Sequence, residues 1–158
     1  MISYLGLGSN LGVPKRQLKK AVNALRHLPR TSLLRYSNLY SSYPVGPRDQ
    51  PIYYNMVVVI NTTLRPQTLL SYCQAIENQH QRVRKKRWGS RTIDIDLLLY
   101  GNTIIHSHRL SIPHPQLLKR DFVLMPLLEI APLICLPNGD PIKPYLSQCK
   151  KNIIPNHH

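Results

Sequence analysis

The stretch Arg82 to Leu99, RVRKKRWGSRTIDIDLLL, changes character half-way and thereby limits what the chain can build. Its first half carries Arg82, Arg84, Lys85, Lys86, Arg87 and Arg91 with one Trp88, one Gly89 and no acid, so it cannot be core. In its second half Ile93, Ile95 and Leu97 alternate with Asp94 and Asp96 before an apolar run that Gly101 closes. Alternation of this kind predicts a strand, half buried at its start. Because the side-chain period of a strand is two, Asp94 and Asp96 share a face, carboxylate beside carboxylate.

Two adjacent carboxylates repel unless a positive charge separates them. The ordinary reading is a strand end paired to the arginines of the loop. The scarcity of acid argues for more: the chain has seven Asp and Glu against 21 Lys and Arg, and two of the seven stand on one strand face. Hard oxygen ligands on a rigid strand suit Mg²⁺, which is commonly held by one or two carboxylates together with substrate phosphates. The neighbouring arginines are fork-shaped donors matched to polyphosphate oxygens.

At 158 residues the chain is expected to form one domain, 1–158, with a core over about 1–100 and a covering C-terminal extension over about 101–155. A net charge of +14 predicts attraction to anions and says nothing of fold. Cys73, Cys135 and Cys149 are odd in number and widely spaced, as suits reduced thiols in the cytoplasm. A signal peptide or membrane span is not evident, so neither membrane nor export is expected.

Ile2 to Leu7 predicts a first strand ended by Gly8, Ser9 and Asn10. GLGSNLG has Leu11 where a dinucleotide-binding G-x-G-x-x-G needs glycine. Pro14 opens a helix whose inner stripe is Leu18, Val22, Leu25 and Leu28, leaving Lys15, Arg16, Lys19, Lys20 and Arg26 on a solvated face. Leu33 to Tyr43 predicts a second strand with Leu34, Tyr36 and Tyr40 in phase, followed by the loop YPVGPRDQP. Tyr54 to Thr63 is a buried strand, and Pro66 begins a second helix with Leu69, Leu70, Cys73 and Ile76 inside. The order is strand, helix, strand, strand, helix, strand. It predicts an α+β, ferredoxin-like βαββαβ core with helices packed on a four-stranded antiparallel sheet. Beyond it, Thr103 to Ile112 could form a hairpin, and an apolar segment from Val123 to Leu136 is interrupted by Pro126 and Pro132.

RWGSRTIDIDLL, with GLGSNLG, PVGPRDQPIYYN and PHPQLLKRDFVLMPL, resembles the 6-hydroxymethyl-7,8-dihydropterin pyrophosphokinases of folate biosynthesis, in order from about Tyr4 to Pro132. The resemblance implies the same ferredoxin-like fold. It also implies transfer of a pyrophosphoryl group from ATP, as co-substrate, to the hydroxymethyl oxygen of the pterin, with release of AMP. Asp94 and Asp96 would hold two Mg²⁺ ions, and Arg82 and Arg91 would stand closest to the transfer. Gln74, Glu77, Arg84, Trp88, Arg109, Ser111, His114 and Arg120 fall at ATP-binding positions. Tyr53 and Phe122 match two rings that stack on the pterin, and Asn55 matches the reader of its edge, with a donor and an acceptor to offer. Ser42, Tyr43 and Val45 complete the slot. Ser42 stands where threonine is common and Gln116 where arginine is frequent.

The expected partners are therefore the two small-molecule substrates, for a monomer that needs neither nucleic acid nor membrane. A basic RNA-binding module is the rival reading. It would show exposed aromatics in a K/R-G-F/Y-G/A-F-V-x-F/Y strand, which this sequence lacks. A Mg²⁺-nucleotide transferase with another acceptor is the second rival.

Overall fold

In the computed structural model, which describes residues 1–44, 51–81 and 93–155, sequence alternation becomes layering. Strand β1 (Ile2–Ser9) runs down the middle of the sheet, antiparallel to β4 (Tyr53–Thr62) on one side and to β5 (Asp94–Tyr100) on the other. Strand β2 (Thr31–Tyr36) flanks β4, giving the order β2-β4-β1-β5, and a short β3 (Tyr40–Ser42) also pairs with β4. This is the ferredoxin-like arrangement.

Helices α1 (Pro14–Arg26) and α2 (Pro66–Gln81) cover one sheet face. Pro14 occupies the first turn of α1, where its missing N–H costs nothing. Leu18, Val22 and Leu25 point inward as the spacing requires, and with Leu69, Cys73 and Ile76 of α2 they pack on Leu5, Leu7, Val58, Ile60, Ile95 and Leu97. The opposite face has its own apolar cluster, in which Val57, Leu98 and Leu99 meet Leu117, Leu124, Leu127 and Ile142 of the C-terminal residues. The hairpin is present as β6 (Ile105–His106) and β7 (Ser111–Ile112).

The structure corrects three details. The segment Leu33 to Tyr43 is two strands, β2 and β3, parted at Ser37 to Leu39. A register shift between Leu33 and Arg35 also breaks the phase: Leu33 pairs with Ile60 and Tyr36 with Val58, on the helix side, whereas Tyr40 pairs with Asn55 on the other. A second bulge, where Tyr4 pairs with Leu99 but Leu5 with Leu97, lets Leu98 and Leu99 both enter the second cluster and explains the unbroken apolar run of β5. Third, Pro126 does not interrupt the chain but sits inside α3 (Asp121–Ile130). A proline there removes one helical hydrogen bond. Burial of Leu124, Pro126 and Leu127 against the sheet offsets that loss.

Helix α3 is fastened to the sheet edge by polar contacts. The carboxylate of Glu129 accepts the Asn38 amide and the Tyr40 hydroxyl at 3.1 and 2.7 Å, and Arg35 Nε donates to the Ile130 carbonyl at 3.1 Å. Burial and the neighbouring Glu129 push the Tyr40 hydroxyl up to about 12.

Candidate active site

On the α3 side of the sheet, register brings the chemistry together. Gly8 of β1 lies between Asn55 of β4 and Asp94 of β5, and Gly6 lies between Val57 and Asp96. Two glycines in the central strand leave the floor bare, with carboxylates along one side and an amide along the other. The resulting cavity, about 230 Å³, is lined by both aspartates, Asn55, Ser42, Tyr43, Tyr53, Arg120 and Phe122. The two aspartates are candidates from strand alternation, and the other six are positions that the family resemblance implies. Gly6 and Gly8 were missed, although a glycine inside a strand is itself a signal of close approach by a ligand or another backbone. A Cβ on Gly8 would stand 3.4 Å from Asn55 Oδ1, and one on Gly6 would touch the Leu98 side chain at 3.4 Å.

Asn55 is held in one orientation. Its Nδ2 donates to the Tyr40 carbonyl at 3.0 Å and to Ser42 Oγ at 2.9 Å. Both amide hydrogens are thus engaged, and the group turned over Gly8 is the carbonyl oxygen, an acceptor. The sequence reading gave Asn55 a donor and an acceptor for a ligand; the structure leaves it the acceptor. The Arg120 guanidinium lies over the Phe122 ring, 5.7 Å from its centre.

A second cavity of about 250 Å³ shares Asp96 and continues along β5 past Leu70, Arg109, Ser111 and His114. His114 Nδ1 accepts the Gln116 amide at 3.1 Å, which leaves Nε2 as the ring nitrogen facing Asp96 Oδ1 at 3.9 Å. Burial lowers the His114 pKa; Asp96 pulls it back up and Arg120 presses it down further. On the rim Arg109 Nη2 donates to Ser71 Oγ at 2.8 Å and to Gln74 Oε1 at 3.4 Å. Glu77 is turned to the strand: its Oε2 accepts the Ile95 amide at 2.7 Å and so braces the segment between the two aspartates. Under the site Cys73 is fully buried, its thiol pushed up to about 12 by burial and by the charges of Glu77 and Asp96. Arg82, Arg84, Trp88, Arg91 and Val45 lie outside the described residues.

The donor set of Asp94 and Asp96 is all oxygen, open to the cavity, and fits Mg²⁺ completed by a ligand's phosphates. Among the described residues no group of three or more His, Cys, Asp or Glu gathers as an all-protein metal cage. Nor does any helix among them have the length and apolarity to cross a membrane.

The family model for 7,8-dihydro-6-hydroxymethylpterin-pyrophosphokinase (HPPK) matches residues 4–132. The chain belongs to the HPPK family. It is therefore a pyrophosphokinase, an ATP-dependent diphosphotransferase. Similar HPPK proteins include the 2-amino-4-hydroxy-6-hydroxymethyldihydropteridine pyrophosphokinase of Haemophilus influenzae, 49% identical over 146 residues, or 92% of this chain and 91% of that protein. The protein of that name from Pseudomonas aeruginosa is 44% identical over 146 residues, covering 92% of this chain and 90% of its own. Among solved structures, Plasmodium falciparum HPPK-DHPS, wild type with pterin and p-hydroxybenzoate, superposes with a TM-score of 0.71 at 16% identity over 93% of this chain. The chain spans 42% of that longer protein, and the likeness shows the fold.

Proposed function

We propose that this HPPK-family chain transfers the pyrophosphoryl group of ATP to the hydroxymethyl oxygen of 6-hydroxymethyl-7,8-dihydropterin, yielding its diphosphate and AMP in tetrahydrofolate biosynthesis. One observation carries the reading: a single cavity has a carboxylate pair at one side and an oriented amide with two aromatic rings at the other. Tyr53 and Phe122 supply flat apolar surface for a bicyclic ring. Asn55 Oδ1, fixed by its two donated bonds, accepts an N–H from the ring edge. That orientation directs the hydroxymethyl end toward Asp94 and Asp96.

The second cavity, reaching from Asp96 past His114 to Arg109, takes the nucleotide. His114 and Arg120 meet phosphate, and Ser111, Gln74 and Glu77 lie on the nucleotide side. Arg84 and Trp88 belong to the same binding reading, and Arg82 and Arg91 stabilise charge on the bridging oxygen that leaves with AMP. Val45 joins Ser42 and Tyr43 in the pterin wall. Two Mg²⁺ ions held by Asp94 and Asp96 would neutralise the triphosphate and favour loss of the proton from the acceptor hydroxyl. The chain's own part is to bring acceptor oxygen and β-phosphorus into line and keep water out. We place it as a monomer in the cytoplasm.

The test is product analysis with ATP and Mg²⁺, with and without the dihydropterin. AMP formed only when the pterin is present supports the reading, while ADP, or AMP independent of pterin, would defeat it.

A further inference from the structure

Beyond the second apolar cluster the chain ends its described course in a strap paired with Ser41 to Tyr43, of which Ser42 and Tyr43 line the cavity. Residues 152–154 lie along β3: the Tyr43 amide donates to the Asn152 carbonyl at 2.9 Å, the Ile154 amide donates to the Ser41 carbonyl at 2.9 Å, and Ser42 bridges Ile153 in antiparallel register. The strap thus adds a strand outside β3, whose other edge is paired to Tyr53, Tyr54 and Asn55 of β4.

One side chain holds the strap from across the cavity wall. Asp121, the first residue of α3 and only 6% exposed, accepts the Asn152 and Ile153 amides on Oδ2 at 2.8 and 3.1 Å. Its other carboxylate oxygen is buried and has no partner among the described residues. A buried carboxylate is costly unless its bonds are made, so such a clamp persists only where its two amides are held in place. Arg120 and Phe122, its chain neighbours, both line the cavity, as do Ser42 and Tyr43 beyond the strap. The Asp121 carboxylate is therefore the joint between two walls: one carries the Phe122 ring, the other carries Ser42 and, through its hydroxyl, orients Asn55.

We propose that Asp121 is a positioning residue for the acceptor, acting through the strap: it sets the spacing between the Phe122 wall and the Ser42–Tyr43 wall and thereby the width of the slot that takes a flat bicyclic ring. This rests on the pterin reading above. Asp121 touches no reacting atom in this scheme. Its loss frees the strap, and with it the Ser42–Tyr43 wall, and so widens the slot, while Arg120 and Phe122 stay on α3 and the carboxylates of β5 stay in place.

The experiment measures AMP formation with the dihydropterin and ATP varied separately. Asp121→Ala is expected to raise the KM for the pterin about tenfold or more, with the KM for ATP within about twofold of wild type, since two bonds to a charged acceptor are lost on the acceptor side alone. Asp121→Asn, which keeps an acceptor oxygen, should recover most of that loss. A purely structural role would lower the melting temperature and the active fraction and leave both KM values alone. A pterin KM within twofold of wild type in a folded Asp121→Ala protein overturns the proposal. Should Asp121→Ala not fold, removal of residues from Asn152 onward, with Asp121 retained, decides: the same selective rise supports the clamp, and an unchanged pterin KM overturns it. Absence of pterin-dependent AMP from the wild type would instead overturn the functional reading, and this inference with it.

Discussion

The two faces of the sheet are cut from the same strands and built to opposite ends. On the helix side Leu5 and Leu7 of β1, Ile95 and Leu97 of β5, and Met56, Val58 and Ile60 of β4 form a filled core. On the other side the intervening positions are Gly6 and Gly8, Asp94 and Asp96, Asn55 and Val57, and among the described residues that half of the sheet borders a cavity in place of a packed layer. Toward the far end the open face closes again, where the bulge in β5 adds Leu98 and Leu99 to the apolar cluster under α3. Strand alternation separates stability from chemistry residue by residue. A substitution one position along the chain should therefore change which property suffers.

The largest effect is expected on the open face. Asp96→Ala removes one of two carboxylates and should lower kcat by about 10³-fold or more, of the order seen when charge stabilisation at a transition state is lost. Circular dichroism and melting temperature should stay close to wild type, because Asp96 contributes nothing to the apolar core. The next substitution sits one position beyond the Asp96 partner Gly6. Leu5→Ala opens a void in a fully buried site and should cost about 2–5 kcal/mol in chemical denaturation, with turnover per folded molecule retained. If both variants lost activity and stability together, the separation of faces would be wrong.

A smaller effect falls on the edge that ties α3 to the sheet. Tyr40→Phe deletes the hydroxyl donated to Glu129 and should cost about 1 kcal/mol near neutral pH. The sign with pH follows from the raised value. The native protein holds the Tyr40 proton to about 12, against about 10 in the unfolded chain, so the contribution is complete below pH 10 and is lost as pH rises through 12. Stability of wild type and Tyr40→Phe should accordingly converge between pH 10 and 12 in denaturant titrations.

The sequence made the pair Asp94 and Asp96 legible because two-residue periodicity is a local property of a strand. Helices α1 and α2 were equally readable from Pro14, Pro66 and their apolar stripes. The split of β2 from β3 was not: in the gap between them Ser37 Oγ accepts the Val57 amide of β4, a contact with a strand twenty residues on that the run from Leu33 to Tyr43 does not announce. Gly6 and Gly8 signal a close approach within their own strand, but what approaches is defined only by Asn55, Val57 and the two aspartates beside them, and those pairings span the chain. The same holds for Asp121, whose amide donors lie more than thirty residues downstream. Glu77 Oε2 also accepts the Ile95 amide, a bond invisible without the packing of α2 on β5.

The open face owes its space to glycine, which gives the most direct measurement. Gly8→Val would project methyl groups from the floor beside Asn55 Oδ1, into the volume assigned to the pterin. Calorimetric titration of the dihydropterin, with Mg²⁺ and a non-hydrolysable ATP analogue present, should show one bound equivalent for wild type. For Gly8→Val the pterin affinity should fall about 10²-fold while the ATP analogue still binds. Equal pterin affinity in the two proteins would contradict the account, because the ring would then not lie over the bare floor of β1.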